Sequence, residues 1–206
     1  MYIPHYHKNE NLEEVKGFLK ANSFGILLNQ NNGKIWGSHI PLELELDPSG
    51  EEVIYGHISK ANFQLKDYTE GKEEVLLIFN GPHSYVSSSW YNHENVPTWN
   101  YIAVHIYGSL EVIDNEELKY SLDKLINKYE AKMENPIHLD SLSEKTMKQM
   151  KGIIGFKIHI NEIQAAYKLS QNRDDEDYHN IVEELNKSEH NLDKETSKIM
   201  KSKRYS

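Results

Sequence analysis

The sequence predicts a mainly β fold with peripheral helices, arranged as an antiparallel barrel or sandwich. Before residue 114, about six segments have strand patterns, either continuously apolar or alternating between apolar and polar residues. Few helical segments lie among them, and turn residues separate most of the strands. This pattern favours a barrel or sandwich over a parallel α/β sheet, in which helices would alternate with strands.

The first part of the chain is predicted to hold one amphipathic helix followed by short strands. Apolar residues recur at helical spacing from Asn11 to Asn22. Asn31-Asn32-Gly33 is typical of a tight hairpin turn. From Ile35 to Leu46, apolar residues come to alternate with polar ones, which predicts a strand with one buried face. The predicted elements are a helix at 11–22, strands at 24–28, 35–46, 53–58 and 75–79, and a short helix at 61–69.

The second part is predicted to contain the longest strand and most of the helices. Asn80-Gly81-Pro82 is expected to end the strand before it. Asp114 or Asn115 is expected to cap a helix that continues to about Tyr129. The remaining predicted elements are strands at 85–86, 99–113 and 153–163, a helical piece around Met147 and Met150, and a helix at 172–184.

The chain is predicted to form a single domain over residues 1–190, followed by a flexible basic tail over residues 191–206. Its 206 residues are enough for one core, and no stretch rich in Pro, Gly or Ser marks a second domain. Between Lys194 and Arg204, five basic residues face only one acidic residue, Glu195.

Composition and charge exclude several classes of protein. With no Cys, the chain has no disulfide, thiolate zinc site, iron–sulfur cluster or cysteine nucleophile. The formal charge of −9 argues against a surface that broadly attracts nucleic acid or anionic lipid. No segment approaches the ~20 apolar residues of a membrane span, and the N-terminus lacks the pattern of a signal peptide. We therefore expect a cytoplasmic protein that does not bind membranes.

Familiar catalytic and metal motifs are missing from the sequence. The eleven His residues include no His-Glu-x-x-His pair, so no metal site is predicted. There is no Gly-x-Ser-x-Gly elbow, no Gly-x-Gly-x-x-Gly turn and no P-loop, and no catalytic residue is assigned.

One junction between a strand and a short helix has the composition of a phosphate site. In the segment from Gly56 to Gln64, Ser, Lys, Asn and Gln residues collect where the strand is expected to end. The free N–H groups of a helix N-terminus and an adjacent Lys suit a phosphate. An ordinary Ser-capped helix with a solvated Lys explains the same residues, and the sequence leaves both interpretations open.

Two other segments combine side chains that suit a planar ligand. Residues 89–101 are the most aromatic part of the chain, and amide and hydroxyl groups lie among the rings. Such a segment fits a flat ring ligand or an oligomer interface, and equally the closure of one end of a barrel. Residues 167–173 form a polar cluster after the last strand, which either adds donors to the same ligand or simply ends the strand.

Short sequence blocks along most of the chain resemble one known family in their order and spacing. The most specific are Asn80-Gly81-Pro82-His83-Ser84-Tyr85-Val86-Ser87, Val96-Pro97-Thr98-Trp99-Asn100-Tyr101 and Lys168-Leu169-Ser170-Gln171-Asn172. Together with Met1-Tyr2-Ile3-Pro4 and Gly56-His57-Ile58-Ser59-Lys60-Ala61-Asn62, they resemble the PaiB family of FMN-binding negative transcriptional regulators. Phe63 and Ser88 stand where the family pattern usually has Pro, and Asn80 where it often has Gln.

The resemblance implies an FMN-binding split β-barrel related to pyridoxamine 5′-phosphate oxidase, with FMN as cofactor and a homodimer as the assembly. It implies that polar and basic residues hold the FMN phosphate, with Lys60 as the principal charge, and that a second group of residues contacts the isoalloxazine ring. The phosphate group comprises Ser38, His39, His57, Ser59, Lys60 and Asn62. The ring group comprises Trp90, Trp99, Asn100, Lys168, Gln171 and Asn172.

The resemblance favours a PaiB-type negative regulator or flavin-linked sensor over two alternatives. Direct DNA binding has no support from charge or motif, because no helix-turn-helix pattern is present and only the basic C-terminal segment would attract DNA. One alternative is a flavin-dependent oxidoreductase that acts on a small substrate, since the cofactor would supply the chemistry. The other is a haem-binding split barrel with a His ligand.

Overall fold

The computed structural model of the chain describes residues 1–66 and 74–204. Within these residues the chain forms seven strands and five α-helices, together with short 3-10 helices. The strands are β1 (Phe24–Asn31), β2 (Lys34–Pro41), β3 (Glu43–Leu46), β4 (Glu52–Ser59), β5 (Glu74–Val86), β6 (Thr98–Val112) and β7 (Ile153–Lys168). The α-helices are α1 (Leu12–Ala21), α2 (Asn115–Glu130), α3 (Glu144–Met147), α4 (Asp175–Lys187) and α5 (Asn191–Arg204). No helix in the described ranges is long and apolar enough to cross a membrane.

The strands form one sheet in the order β2-β1-β5-β6-β7-β4-β3. β1 pairs antiparallel with both β2 and β5, and β4 pairs antiparallel with both β3 and β7. Asn32 and Gly33 join β1 to β2 with φ angles of 50° and 75°. Two consecutive positive φ values are typical of a type I′ turn, whose twist matches that of paired strands. The hairpin predicted from Asn31-Asn32-Gly33 is therefore present.

Residue contacts group the chain into two compact units. The single domain over residues 1–190 stays a prediction. The terminal unit comprises Met1–Phe18, Phe79–His105 and Gln164–Ser206. The central unit comprises Leu19–Ile78 and Ile106–Ile163. The long strands β5, β6 and β7 each contribute residues to both units. Each unit is therefore built from separate segments of the chain, which a search for linkers along the sequence does not detect.

The core of the central unit forms where α2 packs on the sheet. Val53, Tyr55, Ile113 and Leu118 form a buried cluster, and Leu122 on α2 packs against it. Asp114 caps α2 as predicted, because its side chain accepts hydrogen bonds from the amides of Glu116 and Glu117. The hydrophobic face of α2 therefore lies against β4 and the end of β6.

Helices α4 and α5 pack against each other in the terminal unit. Thr196, Ser197 and Met200 of α5 are buried, and the Tyr178 hydroxyl of α4 donates to the Met200 carbonyl at 2.7 Å. The structure thus differs from the expected flexible tail: residues 191–204 are an ordered helix. Two of its three buried residues, Thr196 and Ser197, are polar, so hydrophobic periodicity gives little indication of the helix.

Two predicted strand boundaries differ from the structure. The strand predicted at 35–46 is divided at Leu42, because the Leu42 amide donates to the Ser23 carbonyl at 2.8 Å and β3 then pairs with β4. β5 continues through the Asn80-Gly81-Pro82 sequence, where the strand is predicted to end. Here Gly81 allows close packing rather than a turn, since a Cβ at this position would lie 2.7 Å from the Phe18 ring.

The helix predicted at 61–69 is only partly within the described residues. A 3-10 helix spans Phe63–Leu65, and Lys66 after it is already extended. The rest of that prediction, residues 67–69, lies outside the described residues. The strand predicted at 153–163 is longer than expected, because β7 continues to Lys168.

The close approach of β6 to β7 gives a prediction about stability. A Cβ at Gly108 would lie 2.3 Å from the His159 backbone oxygen, so the strand would have to move. We expect Gly108→Ala to lower the free energy of unfolding by about 1–3 kcal/mol, measured by urea denaturation.

Gly17 provides the matched control, because a Cβ at this position would meet nothing within 4 Å and the residue is exposed within α1. Gly17→Ala is expected to raise the free energy of unfolding by about 0.5–1 kcal/mol, since Ala is the better helix former. Equal effects of the two substitutions would contradict this account of the β6–β7 packing.

Candidate functional site

The residues assigned to the phosphate group all lie in the central unit, around the turn that follows β4. Ser38 and His39 are on β2, His57 and Ser59 are on β4, and Lys60 follows β4 directly. The Asn62 side-chain amide donates a hydrogen bond to the Ser38 hydroxyl oxygen at 2.9 Å. This bond brings β2 to the turn, although the two residues are far apart in sequence.

The turn itself is held by a set of short-range hydrogen bonds. The Asn62 amide donates to the Ser59 carbonyl at 2.9 Å, and the Ala61 amide donates to the Ser59 hydroxyl oxygen at 3.2 Å. The Asn62 side-chain oxygen accepts from the Gln64 amide at 2.9 Å. Gln64 is fully buried and donates to the Leu27 carbonyl on β1 at 2.9 Å. The turn is therefore fixed to the sheet at both ends.

The phosphate prediction relies partly on a helix N-terminus, and the structure does not supply one of useful length. The described helix after the turn, Phe63–Leu65, is a single 3-10 turn. Such a short helix adds little dipole field, and the N–H group of its second residue, Gln64, already donates to the Asn62 side chain. Any phosphate affinity must come from side chains and from the charge of Lys60.

Lys60 carries an exposed positive charge at this turn. Among the residues that the structure describes, its ammonium has no carboxylate partner. Its backbone amide donates to the Gly152 carbonyl at 2.9 Å, which continues the pairing of β4 with β7. Lys151, also exposed, precedes Gly152. Sequence reasoning misses Lys151 because only the pairing of distant strands brings it to this turn.

The two hydroxyl groups at the turn keep their hydrogens available for a ligand. Ser38 and Ser59 each accept a hydrogen bond at the hydroxyl oxygen, from Asn62 and from Ala61. Each can therefore donate its own hydrogen to an acceptor. Two hydroxyl donors and the Lys60 ammonium, which no described carboxylate neutralises, match the acceptor oxygens and the charge of a phosphate monoester. The chemistry of these donors fits an FMN phosphate.

The two predicted histidines have different surroundings. His39 is exposed and stacks on Phe24, with ring centroids 6.4 Å apart. It neighbours Ser38 on a strand, so the two side chains project to opposite faces. His57 is half-buried, and burial lowers its pKa, which makes the imidazole neutral near pH 7. His57 and Ser59 are two residues apart and share a face of β4. Contact of either histidine with phosphate stays a prediction.

The residues assigned to the ring group lie in the terminal unit. Trp99 on β6 is half-exposed, and its indole N–H donates to His83 Nδ1 at 3.2 Å. Tyr85 packs edge-on against the same indole, at a centroid distance of 6.0 Å. Trp90 lies in the 3-10 turn Ser88–Trp90. The Trp99 ring is thus held in one orientation while much of its surface stays accessible.

The polar members of the ring group are engaged within the chain. Asn100 is fully buried, where it accepts from the Ser170 hydroxyl at 3.0 Å. The Lys168 ammonium donates to the Thr98 hydroxyl, and burial lowers the pKa of Lys168. The Gln171 amide donates to the Tyr167 carbonyl and accepts from the Leu169 amide. Asn172 is exposed in the turn that follows. A direct role in cofactor binding stays a prediction for each of them.

The most highly connected polar cluster of the central unit has its polar groups paired internally. The buried Lys157 ammonium lies 3.2 Å from Glu117, 3.5 Å from Asp47 and 3.6 Å from Glu111. The Tyr55 hydroxyl donates to Glu117 at 2.6 Å. In the described parts of the chain, no group of three or more His, Asp and Glu residues is placed to hold a metal ion. This cluster stabilises the sheet rather than offering a binding site.

His159 at the edge of this cluster gives a prediction of pH dependence. Its ring nitrogens lie 2.8 Å from Glu111 and 3.2 Å from Glu51, and the hydrogen bond with Glu111 is the largest cause of its raised pKa. Because the pKa of His159 is raised in the folded state, its protonated form stabilises the fold. This contribution is complete below about pH 6.5 and is lost as the pH rises through the raised pKa.

We expect His159→Gln to lower the free energy of unfolding by roughly 1 kcal/mol or less at about pH 6. The difference from the parent should shrink towards zero at about pH 9, where His159 is neutral in both states. Urea denaturation of both proteins at a series of pH values measures this difference. The other histidines are present in both proteins, so their contributions cancel. A difference that grows with pH would contradict the assignment.

Comparisons with known proteins identify relatives of this chain over most of its length. Residues 1–162 match the model of a family described as "Putative FMN-binding domain". The chain is 44% identical to Protease synthase and sporulation protein PAI 2 of Bacillus subtilis (strain 168), over 98% of each chain. The family match includes the turn after β4 and all of its phosphate-group residues.

Solved structures of low sequence identity share the fold. The FAD and heme binding protein of Mycobacterium smegmatis aligns with a TM-score of 0.62 at 16% identity, over 83% of this chain and 78% of that one. The flavocytochrome Anf3 of Azotobacter vinelandii aligns with a TM-score of 0.59 at 19% identity, over 85% of this chain and 76% of that one. The predicted fold class, an antiparallel split β-barrel with peripheral helices, is confirmed.

Proposed function

Because the chain belongs to the PaiB-like family of FMN-binding domains, we propose that it is a homodimeric, flavin-linked sensor or negative regulator. FMN is its cofactor, and when bound it supplies a reversible redox change. The contribution of this chain is to bind the phosphate, orient the ring and transmit the state of the flavin. The phosphate is held at the turn after β4 by Ser38, Ser59 and Lys60.

The observation that carries this proposal is the hydrogen bond from Asn62 to Ser38. It joins β2 to the turn, and it occupies the Ser38 oxygen while leaving the Ser38 hydrogen free to donate. Lys60 adds a cation that no described carboxylate neutralises. A charge-assisted hydrogen bond of this kind is typical of phosphate recognition.

Trp99 is the residue of the terminal unit that we propose for contact with the isoalloxazine ring. Its indole N–H is already bonded to His83, so the ring is oriented before the ligand arrives. A planar aromatic surface that is fixed and half-exposed suits stacking on a flavin. An aromatic surface of this kind also suits an interface, which supports a dimer.

The regulatory output is proposed not to depend on direct DNA binding. Three of the five basic residues at the C-terminus are paired within the terminal unit: Lys201 with Glu183, Lys203 with Glu14 and Arg204 with Asp175. Cations held in this way gain less from a DNA phosphate than free ones do. Because these cations are already paired, we propose that the state of the flavin changes the binding of a partner other than DNA.

The phosphate assignment predicts a selective effect of Lys60→Ala. Loss of the ammonium should weaken FMN binding about 10- to 100-fold, the range of a lost hydrogen bond to a charged group. Riboflavin has the same ring without the phosphate, so its affinity should change little. Quenching of flavin fluorescence on titration measures both affinities.

Lys132→Ala is the matched control, because Lys132 is an exposed lysine of the central unit that follows α2 and belongs to neither group of assigned residues. It should leave both affinities unchanged. Equal FMN affinity in Lys60→Ala and the parent would overturn the phosphate assignment. If FMN in excess produces no flavin complex and a Soret band is present instead, the haem alternative is favoured.

The paired C-terminal cations predict weak binding to DNA. At about 150 mM salt, the purified protein should give no footprint on its own promoter region, because the net charge of −9 opposes the phosphate backbone. DNase protection with FMN-loaded protein tests this. A footprint that persists at that salt concentration would show that the regulator acts directly on DNA.

A further inference from the structure

A cavity with a volume of about 420 Å³ lies within the terminal unit. The N-terminal segment, the end of β7 and the helices α4 and α5 supply its walls. The N-terminal segment is fixed to β7, because the Asn9 amide donates to the Ala165 carbonyl at 3.0 Å and Lys8 bridges to Ala166. None of the residues assigned to the FMN phosphate is in this unit.

Three buried polar atoms of the cavity walls have no hydrogen-bond partner among the described residues. They are His7 Nδ1, the Asn9 side-chain nitrogen and the Tyr167 hydroxyl. His7 and Tyr167 are each only 5% exposed. Unpaired polar groups at such burial are rare, because each loses its hydrogen bonds to water. Three in one cavity mark a position where a bound molecule, rather than the chain, supplies the hydrogen-bond partners.

The hydrogen-bonding roles of these atoms are largely fixed. The Asn9 side-chain oxygen already accepts from the Asn11 amide at 2.9 Å, so the unpaired atom of that amide is a donor. Burial raises the pKa of Tyr167 well above its usual range, and the hydroxyl therefore keeps its hydrogen at neutral pH. Burial, followed by the charge of Lys168, lowers the pKa of His7. Asn9 and Tyr167 thus offer two donors to the cavity, which suit a ligand with acceptor oxygens.

Positive charge also surrounds the cavity. Lys8, Lys203 and Arg204 line it. Each is positioned by a carboxylate that is not part of the lining: Glu10, Glu14 and Asp175 respectively. The Arg204 guanidinium also lies 4.4 Å from the centre of the Tyr178 ring, and the Lys203 ammonium 5.3 Å from that of Tyr167. These contacts hold the cations at the cavity wall. The three carboxylates offset part of their charge, so the unpaired donors of Asn9 and Tyr167 supply most of the preference for an anion.

We propose that this cavity binds a small organic oxyanion, a carboxylate or a phosphate monoester, through the Asn9 side-chain amide and the Tyr167 hydroxyl. The site is separate from the FMN phosphate site and does not require the proposed function to be correct. Its ligand is a candidate for the signal that the protein senses together with the flavin. Gln171, which the family resemblance assigns to the ring, also lines this cavity, so FMN affinity must be measured in every variant.

The test uses FMN-loaded protein, in which the FMN phosphate site is filled. Isothermal titration calorimetry with succinate and with inorganic phosphate distinguishes the two chemical forms of the oxyanion. Tyr167→Phe removes only the unpaired hydroxyl, and we expect it to weaken binding of the preferred anion about 5- to 100-fold. Asn9→Asp keeps the acceptor for the Asn11 amide and replaces the donor with a negative oxygen, so binding should fall below detection.

Tyr91→Phe is the matched control. The Tyr91 hydroxyl is also buried and has no described partner, and the residue is 8% exposed in the same unit but is not part of the cavity wall. Its removal should leave anion binding unchanged. Lys60→Ala should also retain anion binding while FMN binding weakens. This result would show that the cavity and the FMN phosphate site can be tested independently.

Three results would overturn the proposal. If neither anion binds to the parent protein, water alone satisfies the three polar atoms. Equal effects of Tyr167→Phe and Tyr91→Phe would indicate a general change in stability. Loss of FMN affinity in Tyr167→Phe, together with competition between FMN and the anion, would assign the cavity to the flavin site.

Discussion

The antiparallel pairing of β4 with β7 is the constraint on which the central unit depends. Its register runs from Val53 opposite His159 to Ser59 opposite Ile153, and the bond from Lys60 to Gly152 continues it. A slip of one residue would move His57 and Ser59 to the other face of the sheet. Gly56 is required within this pairing, because a Cβ there would lie 2.6 Å from the Phe156 ring. The same register therefore determines the packing and the position of the phosphate donors.

Two polar clusters among the described residues differ in how completely their hydrogen bonds and charges are paired. Around Lys157, three carboxylates and the Tyr55 hydroxyl leave the buried ammonium fully paired. At the cavity of the terminal unit, His7, Asn9 and Tyr167 each keep an unpaired buried atom among the residues that the structure describes. A satisfied network specifies a structure, whereas an unsatisfied one is costly unless something binds to it. The pairing of the buried polar atoms therefore distinguishes the stabilising cluster around Lys157 from the candidate site in the terminal unit.

Sequence patterns predict the elements whose signals are local. Helical spacing indicates α1, Asn31-Asn32-Gly33 indicates the first hairpin, and Asp114 marks the start of α2. The turn after β4 is also predictable from its composition. What the sequence could not show are the contacts between distant segments: Ser38 with Asn62, and Lys60 with Gly152. These depend on strand order and register, which local periodicity does not encode.

The cavity of the terminal unit is invisible in the sequence for the same reason. His7, Tyr167 and Arg204 come from three separate parts of the chain, and each has an ordinary local explanation as a surface or terminal residue. The C-terminal basic segment has the sequence pattern of a flexible tail, because Met200 is the one large apolar residue among the three buried residues of α5, and Thr196 and Ser197 are polar. A helix whose buried face is largely polar has weak periodicity, so only its packing on α4 reveals it.

Net charge is a poor guide to the ligands of this chain. The formal charge of −9 weighs against DNA, whose recognition needs a positive field over a long surface. A single oxyanion needs only a few donors and one or two cations within hydrogen-bonding distance. We propose this role for Lys60 and two serine hydroxyls in the central unit, and for the Asn9 side-chain amide and the Tyr167 hydroxyl in the terminal unit. An acidic protein can therefore bind two small anions while its surface as a whole repels a polyanion.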